Sequence, residues 1–268
     1  MTFVAVCGAS GKTGRALVGA LRRRGAQVRG LGRPAVDLGT GAGLEPALSG
    51  CEALYLMAPN VHPDEPGLVA RTLDAARRAG VQRVVYHSVA QPYAPAMPHH
   101  LDKAAGEDLV RRSGLAWSVL QPCAYLQNLV PALLADPPAL TVPYSVDVPF
   151  GFVDLDDVAE AAARVLTEPG HSGATYELGG PRPLTVRDVA GLAAEVLGRP
   201  VPATATSQED WSGGPGRELP APARERLLAM FASYDEHGLL TGSLPLRALL
   251  GRPPSTAAET LSRELSVR

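Results

Sequence analysis

The chain has 268 residues, of which 46% are apolar and 19% are charged, a composition typical of a globular protein that buries a sizeable core. A net charge of −2 gives no broad attraction to nucleic acid, and no apolar stretch is long enough to span a bilayer, so neither kind of partner is expected. Three widely spaced cysteines and an N-terminus unlike a signal peptide predict a reducing, cytoplasmic setting, and no Cys/His cluster has metal-ligand spacing.

The first fourteen residues carry the strongest signal. A short run of β-formers at residues 2–6 leads into a glycine-rich turn, and residues 15–21 follow with a helical pattern. This order is typical of a dinucleotide site, in which Gly8 permits a tight turn, Gly11 lets the backbone approach a pyrophosphate, and Gly14 lets the helix pack closely on the strand. The predicted cofactor contacts in this turn are Gly8, Ser10, Gly11, Lys12, Thr13 and Gly14.

Two other interpretations of the turn exist. Gly11, Lys12 and Thr13 resemble the end of a nucleotide-triphosphate loop, but that loop requires a glycine where this chain has Val6. The turn is alternatively a glycine-rich connection without any ligand. Its position directly after the first strand favours the dinucleotide site.

Strands and helices alternate through the next hundred residues. We predict strands at residues 27–33, 53–58, 83–89 and 117–120, and helices at residues 44–48, 66–79 and 101–112. Such β–α alternation predicts an α/β fold with a doubly wound parallel sheet and helices on both faces.

The pattern loosens in the second half. Residues 131–149 contain five prolines and are predicted to be irregular, and residues 207–223 are predicted to be a mobile segment. Between and beyond them we predict helices at 158–166, 184–197, 223–233 and 256–265 and a strand at 174–178. The expected domains are residues 1–150, whose sheet is completed by parts of 151–180, and a smaller substrate-binding lobe at 181–268, to which 129–152 could contribute.

Arg33 follows the second strand, where dinucleotide folds place an acid for the ribose 2′-hydroxyl of NAD or an arginine for the 2′-phosphate of NADP. Because no acid occupies residues 30–36, the sequence favours NADP(H). Arg33 is alternatively a solvated surface residue. Asp37 is a candidate for the adenine edge or for capping the next turn.

Other candidates follow the later strands, because ligands in such sheets bind beyond the carboxyl ends of the strands. Met57, Ala58 and Pro59 close the third strand, and Ser88 closes the fourth as a ligand contact or as an ordinary hydroxyl. Lys103 is a candidate for the nicotinamide ribose or a plain surface lysine.

Proton donors are harder to assign. His99 lies four residues before Lys103, so both could face one cleft if the segment is helical, and His100 competes with it. Tyr125 could present a hydroxyl to the nicotinamide, while Pro122, Cys123 and Asn128 belong to the same loop. Cys123 fits a small buried filler better than a nucleophile.

Together these residues resemble the NmrA-like family of atypical short-chain dehydrogenase/reductases, most closely its quinone-oxidoreductase-type branch. The matching segments are residues 6–14, 28–33, 87–88, 103–107, 113–122, Asn128, 153–159, 176–180 and 250–254. The resemblance implies a Rossmann domain that binds NADP(H) and a smaller C-terminal lobe over a cleft. It implies cofactor contacts from Gly8 to Gly14, Arg33, Met57 to Pro59, Lys103 and the loop from Pro122 to Asn128.

The chain departs from the broader dehydrogenase pattern at one position. The usual catalytic tyrosine stands four residues before the lysine, and here that residue is His99. The expected function is hydride transfer from NADPH to a quinone, enone, imine or similar conjugated small molecule. The alternatives are an NADP(H)-binding redox sensor without turnover and a biosynthetic tailoring enzyme with a dedicated substrate. A homodimer is left open.

Overall fold

The computed structural model describes residues 2–266, so Met1, Val267 and Arg268, the outermost residues of the two predicted domains, lie outside it. The first half of the chain alternates strands and helices. These elements are β1 (Phe3–Cys7), α1 (Lys12–Arg23), β2 (Gln27–Leu31), α2 (Leu44–Leu48), β3 (Ala53–Leu56), α3 (Glu65–Arg78), β4 (Arg83–His87), α4 (Pro98–Arg111) and β5 (Ala116–Pro122). Every element predicted in this half is present, with boundaries shifted by a few residues.

The second half contains more helix and shorter strands. After a 3₁₀ helix (Leu126–Asn128), its elements are α5 (Val130–Leu133), β6 (Leu140–Val142), α6 (Leu155–Thr167), β7 (Ala174–Leu178), α7 (Val186–Leu197), β8 (Ala203–Ala205), α8 (Gln208–Gly213), α9 (Ala221–His237), α10 (Leu244–Leu250) and α11 (Ala257–Leu265).

The main sheet has six strands in the order β2-β1-β3-β4-β5-β7, and the pairs among its first five strands are parallel. The strand order reverses beside β1, since β2 lies on one side of it and β3 on the other. The predicted α/β fold with a doubly wound sheet is therefore confirmed. In such sheets the reversal point opens the crevice in which ligands bind.

The chain forms two compact units. The first comprises residues up to Tyr93, His100–Gln121 and Val158–Tyr176, and the second comprises Ala94–His99, Pro122–Asp157 and residues from Glu177 onward. The core of the first unit includes Leu54, Leu68 and Val84, all fully buried. Each such side chain contributes about 1.5–3 kcal/mol by leaving water. The assignment of residues 181–268 to a separate substrate lobe stays a prediction.

The segment predicted to be irregular and the segment predicted to be mobile both contain regular structure. Within 131–149, β6 pairs in parallel with β8, and Leu140 and Val142 are buried while Thr141 is exposed. Within 207–223, Ser207 caps α8 by accepting a hydrogen bond from the Asp210 amide. A three-residue strand and a six-residue helix are too short to produce a readable period, which explains why β6 and α8 were not predicted.

Two buried aspartates secure the C-terminal helix of the second unit and the segment that precedes it. The Asp154 carboxylate accepts hydrogen bonds of 2.6 Å from Thr260 Oγ1 and from Arg263 Nη2, both on α11. Asp157 accepts a bond of 2.8 Å from Arg252. Burial alone would raise the pKa of Asp154, but the bonds from Thr260 and Arg263 outweigh it and lower that pKa.

Candidate functional site

The glycine turn after β1 has the geometry that its sequence predicts. Gly8 lies in the left-handed region at φ +66°, its amide donates to the Leu31 carbonyl at 3.0 Å, and the Gly11 amide donates back to the Gly8 carbonyl at 2.9 Å. A residue with a side chain would be strained at this φ. The turn therefore joins β1 to α1 while remaining hydrogen-bonded to β2.

Glycine at position 14 lets α1 approach this turn more closely than any residue with a side chain would allow. A Cβ atom at Gly14 would lie 2.1 Å from the Gly8 carbonyl oxygen and 2.7 Å from the Ala9 Cα, far inside van der Waals contact with the backbone. At the same place a Cβ on Gly8 would lie 3.1 Å from the Met57 Cε. The structure thus brings together Gly8, Gly14 and Met57, beside the reversal point of the sheet.

The start of α1 is suited to an anionic group. Its N-cap, Gly11, is extended and offers no side-chain cap, and the first turn contains no acid. Ser10, Gly11 and Lys12 are exposed, and Thr13 is half-buried. The positive end of the helix dipole is therefore not neutralised by an acid of the helix's own first turn, a condition that favours phosphate.

Arg33 is exposed and stands two residues beyond β2. Nearby, the Asp37 carboxylate accepts hydrogen bonds from the amides of Gly39 at 2.8 Å and Thr40 at 3.1 Å. These contacts lower the pKa of Asp37. The Thr40 amide has the largest effect, and the Gly39 amide and the Arg33 charge add to it, while partial desolvation raises the pKa. Asp37 therefore caps its own turn, and its predicted contact with adenine stays a prediction.

Parallel register brings the ends of β3, β4 and β5 to one edge of the sheet. Leu56 lies opposite Tyr86, and His87 lies opposite Leu120. After β3 come Met57, which is half-buried, Ala58, which is buried, and Pro59, which is exposed. After β4 comes Ser88, which is buried. This is the edge at which the sequence places the ligand.

Lys103 is not the surface lysine of the alternative interpretation, because only 6% of the residue is exposed. Its Nζ lies 2.7 Å from Glu65 Oε1 in an ion pair, and it donates to the His87 carbonyl at 3.1 Å. Tyr86 donates its hydroxyl to the same Glu65 Oε1 at 2.7 Å. Lys103 is thereby fixed at the end of β4.

A glycine on α4 makes room for this arrangement. A Cβ at Gly106 would lie 2.4 Å from the Tyr86 hydroxyl oxygen. Any larger residue would displace the tyrosine that holds Glu65. Gly106 therefore preserves the contact among Glu65, Tyr86 and Lys103.

A second buried carboxylate, Glu107, lies one turn further along α4 and is fully buried. Its Oε1 accepts hydrogen bonds from Ser88 Oγ at 2.6 Å and from Gln121 Nε2 at 2.7 Å, and its Oε2 pairs with Arg111 at 2.8 Å. The Ser88 proton therefore points toward Glu107. Ser88 is accordingly better placed to accept a hydrogen bond than to supply a proton.

His87 is the last residue of β4, and its Nδ1 hydrogen-bonds with the hydroxyl of Tyr55 on β3. Burial, reinforced by the Lys103 charge, lowers the pKa of His87 to about 3. Burial also raises the pKa of Tyr55. Both groups are therefore neutral at physiological pH.

This burial predicts an acid-sensitive stability. Between its ordinary pKa of 6.5 and about 3, His87 takes up a proton in the unfolded chain but not in the folded one, so stability falls as the pH falls through that window. When the pH falls from 6.5 to 4.5, the unfolding free energy of both proteins should decrease. We expect the decrease in the parent to exceed that in His87→Gln by up to ~2 kcal/mol. Urea unfolding at both pH values measures the difference.

His237→Gln is the matched control, because the His237 side chain is 67% exposed. It should leave the pH dependence of the parent unchanged. His100, whose pKa burial also lowers, remains in both variants, so a residual slope is expected. Equal slopes for His87→Gln and His237→Gln would contradict the prediction.

The remaining candidates belong to the second unit. His99 is 7% exposed and lies within α4, so the segment before Lys103 is helical. Tyr125 is half-buried and forms an isolated bridge with Val153, and Asn128 is exposed with its amide bonded to the Tyr125 carbonyl at 3.0 Å. Pro122 and Cys123 are buried.

Cys123 has the environment of a structural filler. Its Sγ donates to the Leu239 carbonyl at 3.3 Å, and burial raises the pKa of its thiol. A thiol with a raised pKa is a poor nucleophile. Cys7 and Cys51 are likewise buried and free.

Sequence reasoning missed the two carboxylates that organise this edge, Glu65 and Glu107, and their partners Tyr86 and Gln121. It also missed His87, whose carbonyl accepts a hydrogen bond from Lys103. One signal was available, since Glu107 lies one helical turn after Lys103 and therefore shares its face. No such signal marks Glu65, whose partners lie more than twenty residues away.

Two negative findings concern the described residues alone. In residues 2–266, no group of three or more His, Cys, Asp or Glu could hold a metal ion. No helix in that range has the length and apolar character that a membrane crossing requires.

The chain is similar to known proteins over most of its length. The model of the NmrA-like family matches residues 2–249. An NAD(P)H azoreductase from Xenophilus azovorans is 30% identical over 248 residues, which cover 90% of this chain and 85% of the azoreductase. A (4-alkanoyl-5-oxo-2,5-dihydrofuran-3-yl)methyl phosphate reductase from Streptomyces griseus is 30% identical over 220 residues, covering 74% of this chain and 75% of that reductase.

A solved structure is similar over nearly the whole length. An NADPH-dependent quinone oxidoreductase from Escherichia coli, complexed with NADPH, has a TM-score of 0.81 and 25% identity, and the match covers 98% of this chain and 99% of that one.

Proposed function

Since the chain belongs to the NmrA-like family, we propose that it is an NADP(H)-dependent oxidoreductase that reduces a conjugated small molecule. Relatives named as an azoreductase and as a dihydrofuranone phosphate reductase, and a similar structure named as a quinone oxidoreductase, support this reaction class. We infer that the substrate is a quinone, an enone, an imine or an acceptor with a similar conjugated double bond.

The observation that carries the proposal is the close approach at Gly14. A cradle that a single Cβ would fill, opening on a helix N-terminus without acids, fits the diphosphate of a dinucleotide. We propose that Gly8, Ser10, Gly11, Lys12, Thr13 and Gly14 hold this diphosphate. Arg33 then holds the 2′-phosphate, and Asp37 limits the adenine pocket through its capped turn.

On the nicotinamide side we assign contacts to residues that follow the strands. They are Met57, Ala58, Pro59, Lys103, Pro122, Cys123 and Asn128. A bound reduced nicotinamide supplies a hydride to the acceptor. Lys103 orients the ribose by donating a hydrogen bond, and Ser88 accepts one because its own proton is directed to Glu107.

We propose His99 as the group that supplies a proton to the reduced acceptor and Tyr125 as its competitor. A quinone needs little specialised acid, so solvent can replace either residue. We also propose that the protein forms a homodimer and that it works in a reducing, cytoplasmic compartment. Residues 181–268 are proposed as the substrate-binding lobe.

The direct test combines binding with turnover. Titration calorimetry measures the affinity for NADPH and NADP⁺, and absorbance at the reduced nicotinamide band follows NADPH consumption with a quinone, an azo dye and an enone. We expect tight binding and turnover of at least one acceptor. Binding without any turnover would favour the sensor, and absence of binding would overturn the proposal.

Arg33 provides the test of cofactor choice. Replacing Arg33 with Ser removes the only charge proposed for the 2′-phosphate, so the Kd for NADPH should rise at least about tenfold while the Kd for NADH stays unchanged. Calorimetry with both cofactors measures the two values.

Arg22→Ser is the control, because Arg22 is also exposed but lies at the opposite end of α1 from the glycine turn. It carries the same charge change and should leave both affinities as they are. A parallel loss of NADPH and NADH affinity in Arg33→Ser would show that Arg33 does not select the phosphate.

A further inference from the structure

Glu65 is a buried charge in an unusual place. It is the first residue of α3, directly after the N-cap Asp64, and it is fully buried. Glutamate is almost never fully buried unless it is paired, and a buried ion pair is often no more stabilising than apolar residues of the same size. Fold stability therefore gives no sufficient reason for a glutamate here.

The contacts of Glu65 are concentrated on one oxygen. Oε1 receives both the Lys103 ammonium and the Tyr86 hydroxyl, each at 2.7 Å, while the buried Oε2 has no hydrogen-bond partner within residues 2–266. The Lys103 nitrogen also lies 5.6 Å from the centre of the Tyr86 ring. Glu65 therefore binds the ammonium directly, and Tyr86 holds the same carboxylate oxygen.

The Lys103 ammonium has three N–H donors, of which Glu65 and the His87 carbonyl take two. Within residues 2–266 no further hydrogen bond involves this nitrogen, so we assign the third N–H to the ligand. The pair of Glu65 and Lys103 has no net charge, and the neighbouring pair of Glu107 and Arg111 is balanced in the same way.

We propose that Glu65 is a positioning residue that fixes Lys103 for the cofactor and cancels its charge beside the nicotinamide. This inference rests on the proposed function. Because the oxidised nicotinamide carries a positive charge and the reduced one carries none, an uncompensated ammonium would weaken the binding of NADP⁺ more than that of NADPH. Glu65 thereby sets the ratio of the two affinities.

The sign of the effect depends on which partner is removed. Glu65→Gln leaves the ammonium unbalanced, so the ratio Kd(NADP⁺)/Kd(NADPH) should rise about tenfold. Lys103→Met leaves the carboxylate unbalanced, so the ratio should fall by a similar factor. The double variant removes both charges and should return the ratio to within about twofold of the parent.

Titration calorimetry with NADPH and NADP⁺ on the full chain measures all four ratios, and thermal unfolding checks that each variant is folded. Asp64→Asn is the matched control. It removes the exposed carboxylate of the residue next to Glu65, and asparagine still caps the helix. Its ratio should equal that of the parent. Glu65→Asp keeps the charge, so its ratio should also stay, even if both affinities fall.

Unchanged ratios in Glu65→Gln and Lys103→Met would overturn the inference while leaving the proposed function intact. Shifts of the same sign in both single variants would overturn it as well. If Glu65→Gln does not fold, Lys103→Met and Glu65→Asp still decide the sign. A parent protein that binds neither form of the cofactor refutes the proposed function instead.

Discussion

Replacing Gly14 with Ala is expected to weaken NADPH binding on the order of 100-fold, equivalent to about 2.7 kcal/mol. The added methyl would lie 2.1 Å from the Gly8 carbonyl oxygen and 2.8 Å from the Gly8 carbonyl carbon, and neither atom belongs to a flexible side chain. Helix α1 must therefore move away from the turn, which separates its N-terminus from the backbone that Gly8 and Gly11 present to the diphosphate. Calorimetry with NADPH measures the loss.

Gly19→Ala is the matched control in the same helix. A Cβ at Gly19 meets only the flexible Arg23 side chain, at 3.4 Å. Because alanine is the better helix former, Gly19→Ala should stabilise the fold by about 0.5–1 kcal/mol and leave the affinity unchanged. Gly14→Ala should instead lower the unfolding free energy by about 1–3 kcal/mol. Equal affinities of the two variants would contradict the proposed cradle.

The turn could be predicted from the sequence because its determinants are local. Gly8, Gly11 and Gly14 lie within seven residues, and each meets a steric requirement of the strand–turn–helix unit itself. The same holds for β1 and β3, which are uninterrupted apolar runs, and for helices whose ends carry capping residues. Thr185 illustrates this, since its side chain and that of Asp188 form the capping box that begins α7 where the sequence predicts it.

The polar network at the sheet edge could not be predicted, because it depends on register between strands distant in sequence. Glu65 reads as an ordinary acid in the first turn of a helix, and Lys103 reads as an ordinary helical lysine. Their ion pair exists only because α3 and α4 both begin at the edge where β3 and β4 end. The composition of the sequence and the spacing of its residues do not predict this ion pair.

The errors in the second half have a different cause. The strand β6 has three residues and pairs with β8, which lies about sixty residues later in the sequence. A segment this short cannot show a period of its own, so Pro137, Pro138 and Pro143 dominated the local pattern. The helix α10 was missed for the same reason, as it has seven residues.

Glu107 is expected to be the most costly single side chain to remove from the polar network. Glu107→Ala should lower the unfolding free energy by about 3–5 kcal/mol, because it leaves Ser88 and Gln121 without their buried acceptor and Arg111 without its counter-charge. These three partners come from the residue after β4, from β5 and from α4, so the loss affects the packing of helix on sheet. Urea unfolding measures it.

The chain contains its own control for this prediction. Asp108 pairs with Arg112 at the same spacing along α4, but their side chains are 56% and 78% exposed, against 0% and 30% for Glu107 and Arg111. Asp108→Ala should therefore change the unfolding free energy by no more than about 0.5 kcal/mol. Similar losses in the two variants would mean that helical spacing, and not burial among Ser88 and Gln121, determines the contribution of Glu107. A large difference would show that the carboxylate is a fixed part of the sheet edge to which we assign the cofactor.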